Sequence, residues 1–279
     1  LAEPKNHFTV GITDDVTKTS LKPDKKFKLD DKGVFNAMFY GLGSDGTVGA
    51  NQNTIKIIGE NTDNYAQGYF VYDSRKAGSL TTSNLRFSAK PIHKPYLVQH
   101  AQFVACHNFA FLEKYDMLSN IEKGGTFLLN SPYGPKEVWD KIPCEVQEQI
   151  IAKGLKFYVI DGIDLGHKLG LGARINMIMQ TAFFVISGFL PQDKAIDLIK
   201  KAIQKTYGKK GEKVVQMNWD AVDAARDAVF KVDYPKTADS CIHVLNPIPD
   251  NAPKFVKEVT ATMMKGNGDD LAVSKFPID

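Results

Sequence analysis

The sequence predicts an α/β protein: a three-layer α/β/α sandwich with a mostly parallel sheet, plus extended N- and C-terminal arms. Three observations predict it. Short apolar or aromatic runs of strand length alternate with stretches whose apolar residues recur at helical spacing. A glycine-rich turn, Gly41-Leu42-Gly43-Ser44-Asp45-Gly46-Thr47, joins the first strong run to a helix. The two ends lack such patterning: the lead is polar and lysine-rich, and the tail holds Pro235, Pro247, Pro249 and Pro253. The expected division is a connector arm at 1–30, an α/β domain at 31–233 and a C-terminal connector at 234–279.

Each element has its own justification. Residues 34–40 are short, apolar and aromatic-rich, which reads as a buried strand running into the glycine turn. Residues 47–59 follow as a helix with Val48, Ile55, Ile57 and Ile58 as its apolar set. Residues 68–73 read as a second strand, so the first three elements spell β-loop-α-β, expected as a parallel pair with a right-handed crossover. The stretch 74–94 is basic and poor in core residues, with a strand or hairpin at 81–87 beside the sheet. Strands are expected at 101–107, 125–130 and 157–161, with helices at about 109–117 and 143–153. Thereafter the chain turns helical, at 174–188, after Pro191, at 212–230, and at about 253–265. The second of these carries Ala195, Ile196, Ile199, Ala202 and Ile203 on one stripe, and the first is apolar on nearly all sides and should be buried.

Composition narrows the class. A length of 279 residues suits one large domain or one domain with extensions, and both ends have the look of an excised domain. A formal charge of +3 is too small to argue for nucleic acid. The richest apolar run, 175–190, is interrupted by Asn176, Gln180, Thr181 and Ser187, so it reads as a buried helix and not as a membrane span. Cys106, Cys144 and Cys241 form no Cys-x-x-Cys pair and offer no local framework for zinc or an iron–sulfur cluster. No signal peptide is read at the front, and a reduced, cytoplasmic setting fits best.

Gly41, Gly43 and Gly46 spell G-x-G-x-x-G between a strand and a helix. Glycines allow close backbone approach, and the helix beginning at Thr47 aims unpaired N–H groups and a partial positive charge at a ligand; a phosphate suits such a site. Ser44 and Thr47 add hydroxyls. A tight turn without ligand is the plain alternative. Asp73 fits the ribose acid of a dinucleotide site, but the Ser74-Arg75-Lys76 cluster after it suits a phosphate better. A Walker loop is excluded because no Gly-Lys-Ser/Thr follows, and a thiamine-diphosphate motif lacks its Asn pair. An autonomous NAD(P)-dependent oxidoreductase and a structural spacer remain alternatives. Cys106 and His107 are adjacent on a strand end and should point apart. Asp161, Asp164 and His167 suit helix capping more than a metal. Met177 and Met179 should be packing; Tyr133, Trp139 and Trp219 are divided between core and interface; Arg174 is a further candidate for an anion at a helix start.

The segment Phe39-Tyr40-Gly41-Leu42-Gly43-Ser44-Asp45-Gly46-Thr47-Val48-Gly49-Ala50-Asn51, followed by Gly68-Tyr69-Phe70-Val71-Tyr72-Asp73-Ser74, resembles the pyruvate:ferredoxin (flavodoxin) oxidoreductase family. Leu85-Arg86-Phe87, Lys90-Pro91-Ile92 and 101–107 continue the resemblance, as do 5–11 at the front and 268–271 with Phe276-Pro277 at the back. It covers essentially the whole chain, as the γ-type domain with flanking connectors. The resemblance implies a coenzyme A-binding role within a multidomain enzyme that oxidatively decarboxylates pyruvate to acetyl-CoA and passes electrons to ferredoxin or flavodoxin. Thiamine diphosphate, magnesium (Mg) and 4Fe-4S clusters are then expected in other domains, which are this chain's partners; neither nucleic acid nor membrane is expected. Carried onto this sequence, Gly41, Gly43, Ser44, Asp45, Gly46 and Thr47 would hold the pyrophosphate, with Asn51 as a polar helper. Arg75, Lys76 and Arg86 are candidates for phosphates, and Asn130 for a pantetheine amide; no catalytic or metal residue is expected in this chain. Gln52 stands where a lysine is expected, so no phosphate contact is assigned to it.

Overall fold

The computed structural model describes residues 6–22, 24, 27, 29, 32–73, 78–172, 174–246 and 248–276. The chain divides into two units, one built from 1–30, 114–116 and 245–279, the other from 31–113 and 117–244. In the first unit, β1 (Thr9–Val10) and β2 (Ser20–Leu21) pair in parallel. Residues far apart in sequence close it: the Val273 N–H donates to the Thr13 carbonyl at 3.0 Å, and the Asp15 carboxylate accepts the Ser274 N–H at 2.9 Å. The helix expected at 253–265 forms as a π-helical turn at Val256–Thr260 followed by a short α-helix at Ala261–Met264.

The second unit carries the sheet. Its elements are β3 (Val34–Leu42), α1 (Thr47–Asn61), β4 (Tyr65–Tyr72), β5 (Leu80–Ser88), β6 (Ala101–Cys106) and β7 (Ile121–Asn130). Next come α2 (Cys144–Lys153), β8 (Lys156–Ile160), α3 (Gly162–Lys168), α4 (Asn176–Ser187), α5 (Gln192–Tyr207), α6 (Glu212–Asp227) and β9 (Phe230–Lys231). The strand order is β4-β5-β3-β6-β7-β8-β9, with β3, β6, β7 and β8 mutually parallel. The α/β class and the parallel centre agree with the sequence reading.

Three expectations are corrected. β4 does not pair with β3: β5 lies between them, antiparallel to both. The reason is burial. Leu85 and Phe87 of β5 are fully inaccessible, whereas β4 exposes Tyr65, Tyr69 and Tyr72 and suits an edge. The stretch 74–94 therefore supplies core residues after all. The helix expected at 109–117 shrinks to a 3-10 turn at Phe109–Glu113. The short strands β1 and β2 went unread from the sequence, as did α3 and the two-residue antiparallel edge strand β9.

Phe183 of α4 is the hub of the core. Its ring lies 5.3 Å from Phe39, 4.9 Å from Phe103, 6.4 Å from Phe87 and 5.1 Å from Phe184. Gln180, one turn earlier, donates to the Ala50 carbonyl and to Thr54 Oγ1, pinning α4 onto α1. Met177 and Met179 are packed in the same layer. Residues of alternate parity, such as Phe127 and Phe157 stacked at 5.3 Å, face the opposite layer. Trp139 is buried and stacks on Tyr234 at 5.1 Å; the Trp219 indole donates to the Lys200 carbonyl. Among the described residues no helix is long and apolar enough to cross a membrane.

Candidate functional site

The glycine turn leaves β3 at the carboxyl end of the parallel strands, where ligands of open α/β sheets bind. Gly41 is required by packing: a Cβ there would meet Thr47 Cβ at 2.7 Å and Oγ1 closer still. Ser44 (φ 74°) and Gly46 (φ 90°) adopt the left-handed conformation that reverses the chain into α1. Asp45 then folds back over the turn. Its Oδ2 accepts the Leu42 N–H at 2.8 Å and the Thr47 hydroxyl at 2.9 Å, and its Oδ1 accepts the Thr47 N–H at 2.7 Å. The Gly43 N–H donates to the Ser79 carbonyl at 2.8 Å. Of the amides that the sequence reading gave to a pyrophosphate, that of Gly43 is committed to Ser79, that of Asp45 to the Leu42 carbonyl and that of Thr47 to the Asp45 carboxylate.

A residue from the next strand completes this arrangement. The His107 N–H donates to the Tyr40 carbonyl where β6 ends, and His107 Nδ1 lies 2.7 Å from Thr47 Oγ1. The Thr47 hydroxyl has one hydrogen, which goes to the Asp45 carboxylate; it must therefore accept from Nδ1, which carries the imidazole proton. Nε2 is left as a bare lone pair, buried and without a partner in the described residues. Burial lowers the imidazole from its ordinary 6.5 to about 4, against the opposing pull of Asp45. In the unfolded chain the same group takes its proton near 6.5, so its contribution to stability is complete above that pH and is lost as pH falls toward 4. Between pH 7 and pH 4 the wild type is expected to lose about 3 kcal/mol more than His107→Phe, read from urea midpoints at each pH. Equal losses would contradict the neutral, buried imidazole.

Above His107 opens a cavity of about 880 Å³, lined by residues from the ends of all four parallel strands. Its walls are largely apolar, with Phe109, Pro132, Tyr133, Ile163 and Ile175; Ser44, Asp45, His107, Asn130 and Asp161 supply polar groups, and Arg174 a cation. Asn130 is 3% exposed and ties three strand ends together, donating to the His107 carbonyl at 2.9 Å while its Oδ1 accepts the Gly162 N–H at 2.9 Å. Asp161 caps α3 by accepting the Asp164 N–H, and Asp164 pairs with Lys168. Cys106 donates to the Asn108 carbonyl, and burial pushes its thiol up to about 12, so it makes no pair with His107.

The structure therefore brings Ser44, Asp45 and Asn130 to one cavity, with Gly41 and Thr47 supporting it from beneath and Gly46 facing a second, smaller hollow beside α1 and α5. Asn51 is buried within α1, off the cavity wall. Arg86 stands apart: it pairs in register with Asn36 near the start of β3, is 1% exposed, and donates to the Tyr96 carbonyl at 2.7 Å and to Gln67. Five residues of strand, roughly 17 Å, separate that level from Gly41. Arg75 and Lys76 lie outside the described residues. His107 was passed over as a site residue; the available signal was a polar ring directly after an apolar strand.

Residues 36–228 match the family described as pyruvate ferredoxin/flavodoxin oxidoreductase, and 243–279 match EKR, a domain of unknown function. A putative pyruvate-flavodoxin oxidoreductase of Synechocystis is 53% identical over 99% of this chain and 23% of its own length. The pyruvate:ferredoxin oxidoreductase of Moorella thermoacetica is 48% identical over 99% of this chain and 24% of its own length. The chain thus spans about a quarter of these relatives. Pyruvate oxidoreductase subunit PORC of Thermotoga maritima shares the fold, at TM-score 0.57 and 17% identity over 72% of this chain and 99% of that one. So does 2-oxoglutarate:ferredoxin oxidoreductase of Magnetococcus marinus, determined with 2-oxoglutarate, coenzyme A and succinyl-CoA bound, at TM-score 0.52 and 16% identity over 77% of this chain and 34% of that one. With a family match across the sheet and its helices, and near-complete alignment to relatives at about half identity, the chain belongs to the pyruvate ferredoxin/flavodoxin oxidoreductase family.

Proposed function

We propose that this chain is the coenzyme A-binding part of a multidomain 2-oxoacid oxidoreductase. That enzyme decarboxylates pyruvate oxidatively, passes electrons to ferredoxin or flavodoxin, and conserves the acyl group as acetyl-CoA. Thiamine diphosphate with its magnesium, and the iron–sulfur clusters, are assigned to the other domains, which are this chain's partners. They supply the carbanion and electron-transfer chemistry. This chain positions the acyl acceptor.

One observation carries the reading: the cavity at the carboxyl ends of β3, β6, β7 and β8, whose surface is largely apolar although amides, acids and Arg174 also line it. Such a lining suits the pantetheine arm, which is long, uncharged and bears only scattered amides. Arg174, immediately before α4, is the cation at the wall, where a guanidinium and a helix start both favour a phosphate. The phosphate contacts are assigned to Arg174, because Asp45 takes the Leu42 and Thr47 amides of the glycine turn and the Ser79 carbonyl takes that of Gly43. The related 2-oxoglutarate enzyme, determined with coenzyme A bound, shares the fold and adds support.

Calorimetric titration with coenzyme A, and with NADH alongside, tests this. Saturable binding of coenzyme A alone is expected, with Arg174→Ala weakening it about tenfold, or ~1.4 kcal/mol. Saturation by NADH instead, or indifference to Arg174→Ala, would sink the assignment.

A further inference from the structure

The turn has more hydrogen bonding than a turn needs. Asp45 alone ties Leu42 to Thr47; the link onward from Thr47 to His107 spans sixty residues of sequence and fixes one ring. His107 lines the cavity and is 5% exposed, and its Nε2 is buried with no partner among the described residues. A buried acceptor left unsatisfied is costly, and proteins rarely leave one without an unseen partner. Its neighbour Asn130, by contrast, uses its amide in both directions.

The direction of the relay decides what that partner is. Because the carboxylate of Asp45 takes the Thr47 hydrogen, Nδ1 carries the ring proton and Nε2 can only accept. A carbonyl, carboxylate or phosphate oxygen would meet a lone pair there and be repelled. The charged groups lining the same cavity are Asp45, Glu113, Asp161 and Asp164, with Arg174 as the cation, so an anion is disfavoured beside Asp45 and is left to Arg174. An N–H or S–H group of an uncharged chain fits.

We propose that His107 is a specificity-determining binding residue: its Nε2 accepts a hydrogen bond from an uncharged donor on the ligand's arm, an amide N–H or the terminal thiol, while Thr47 and Asp45 are positioning residues that hold the proton on Nδ1. The inference rests on the coenzyme A reading. Its low basicity suits the same role, since the ring stays an acceptor without becoming a cation at neutral pH.

The test combines nitrogen-15 NMR of histidine-labelled chain with calorimetry, using coenzyme A, desulfo-coenzyme A and adenosine 3′,5′-bisphosphate, which lacks the arm. In unliganded wild type at pH 7, Nε2 is expected without a proton, and coenzyme A should move its resonance without protonating it. Coenzyme A affinity should fall about tenfold in His107→Phe and about threefold in Thr47→Val, while the bisphosphate binds all three alike. Weaker binding of desulfo-coenzyme A to wild type would identify the thiol as donor, and equal binding the amide; both support the proposal. A proton on Nε2 in wild type, decisive even if His107→Phe does not fold, would overturn it. So would tight coenzyme A binding unchanged in both variants, which leaves the coenzyme A reading standing. Absence of coenzyme A binding by wild type would instead remove that reading, and the inference with it.

Discussion

Phe183→Ala is expected to destabilise the α/β unit by about 4 kcal/mol, the largest effect of any single substitution considered for it. The ring is fully buried and touches aromatic residues from three strands of the sheet and from its own helix. Alanine would remove both the transfer energy of the ring and its edge-to-face contacts with Phe39 and Phe103. Rigid neighbours on β3 and β6 limit how far the space can collapse. Urea denaturation followed by far-ultraviolet dichroism measures this, and a cost below about 1.5 kcal/mol would show that α4 repacks.

Asp45→Ala is expected to cost about 3 kcal/mol and, unlike the core substitution, to change the cavity. Three donors lose one acceptor group: two backbone N–H groups and the Thr47 hydroxyl. Hydrogen bonds to a charged acceptor are the stronger kind, and the Thr47 N–H belongs to the first turn of α1, where a negative charge is favoured. Asp45→Asn keeps one carbonyl oxygen and should recover part of the loss. The relay reverses in neither variant without a trace: the Thr47 hydroxyl becomes free to donate to His107 Nδ1, which would move the ring proton to Nε2. Histidine nitrogen shifts report that exchange, and an unchanged tautomer in Asp45→Ala would show that Asp45 does not set it.

The local parts of this fold were legible in the sequence. β3, the glycine turn and α1 are contiguous, so alternation, glycine chemistry and helical spacing described them nearly to their ends. What failed was pairing. The antiparallel insertion of β5 depends on where Leu85 and Phe87 find cover, and Arg86 between them disguised a central strand as a basic stretch. Arg86 itself looked like a phosphate ligand because its true partners, Tyr96 and Gln67, come from other segments. The same holds for the site. Gly41 and Ser44 were singled out from their spacing, but the role of Asp45 as a substitute anion follows from left-handed residues on either side of it, which only the folded turn reveals. His107 gains its meaning from Thr47, and no short window of sequence contains both.

The closure of the first unit sets a constraint on biosynthesis. Thr13 and Asp15 find their partners at Val273 and Ser274, a separation of 259 residues for the Asp15–Ser274 bond. On a ribosome adding about 5–20 residues per second, the early segment must wait roughly 13–50 s for its counterpart to emerge. Throughout that interval Phe8, Val10 and Ile12 have no completed unit to join, while the intervening α/β unit is already emerging. The segment at 8–12 therefore stays without its completing partner until residues 273 and 274 have been made.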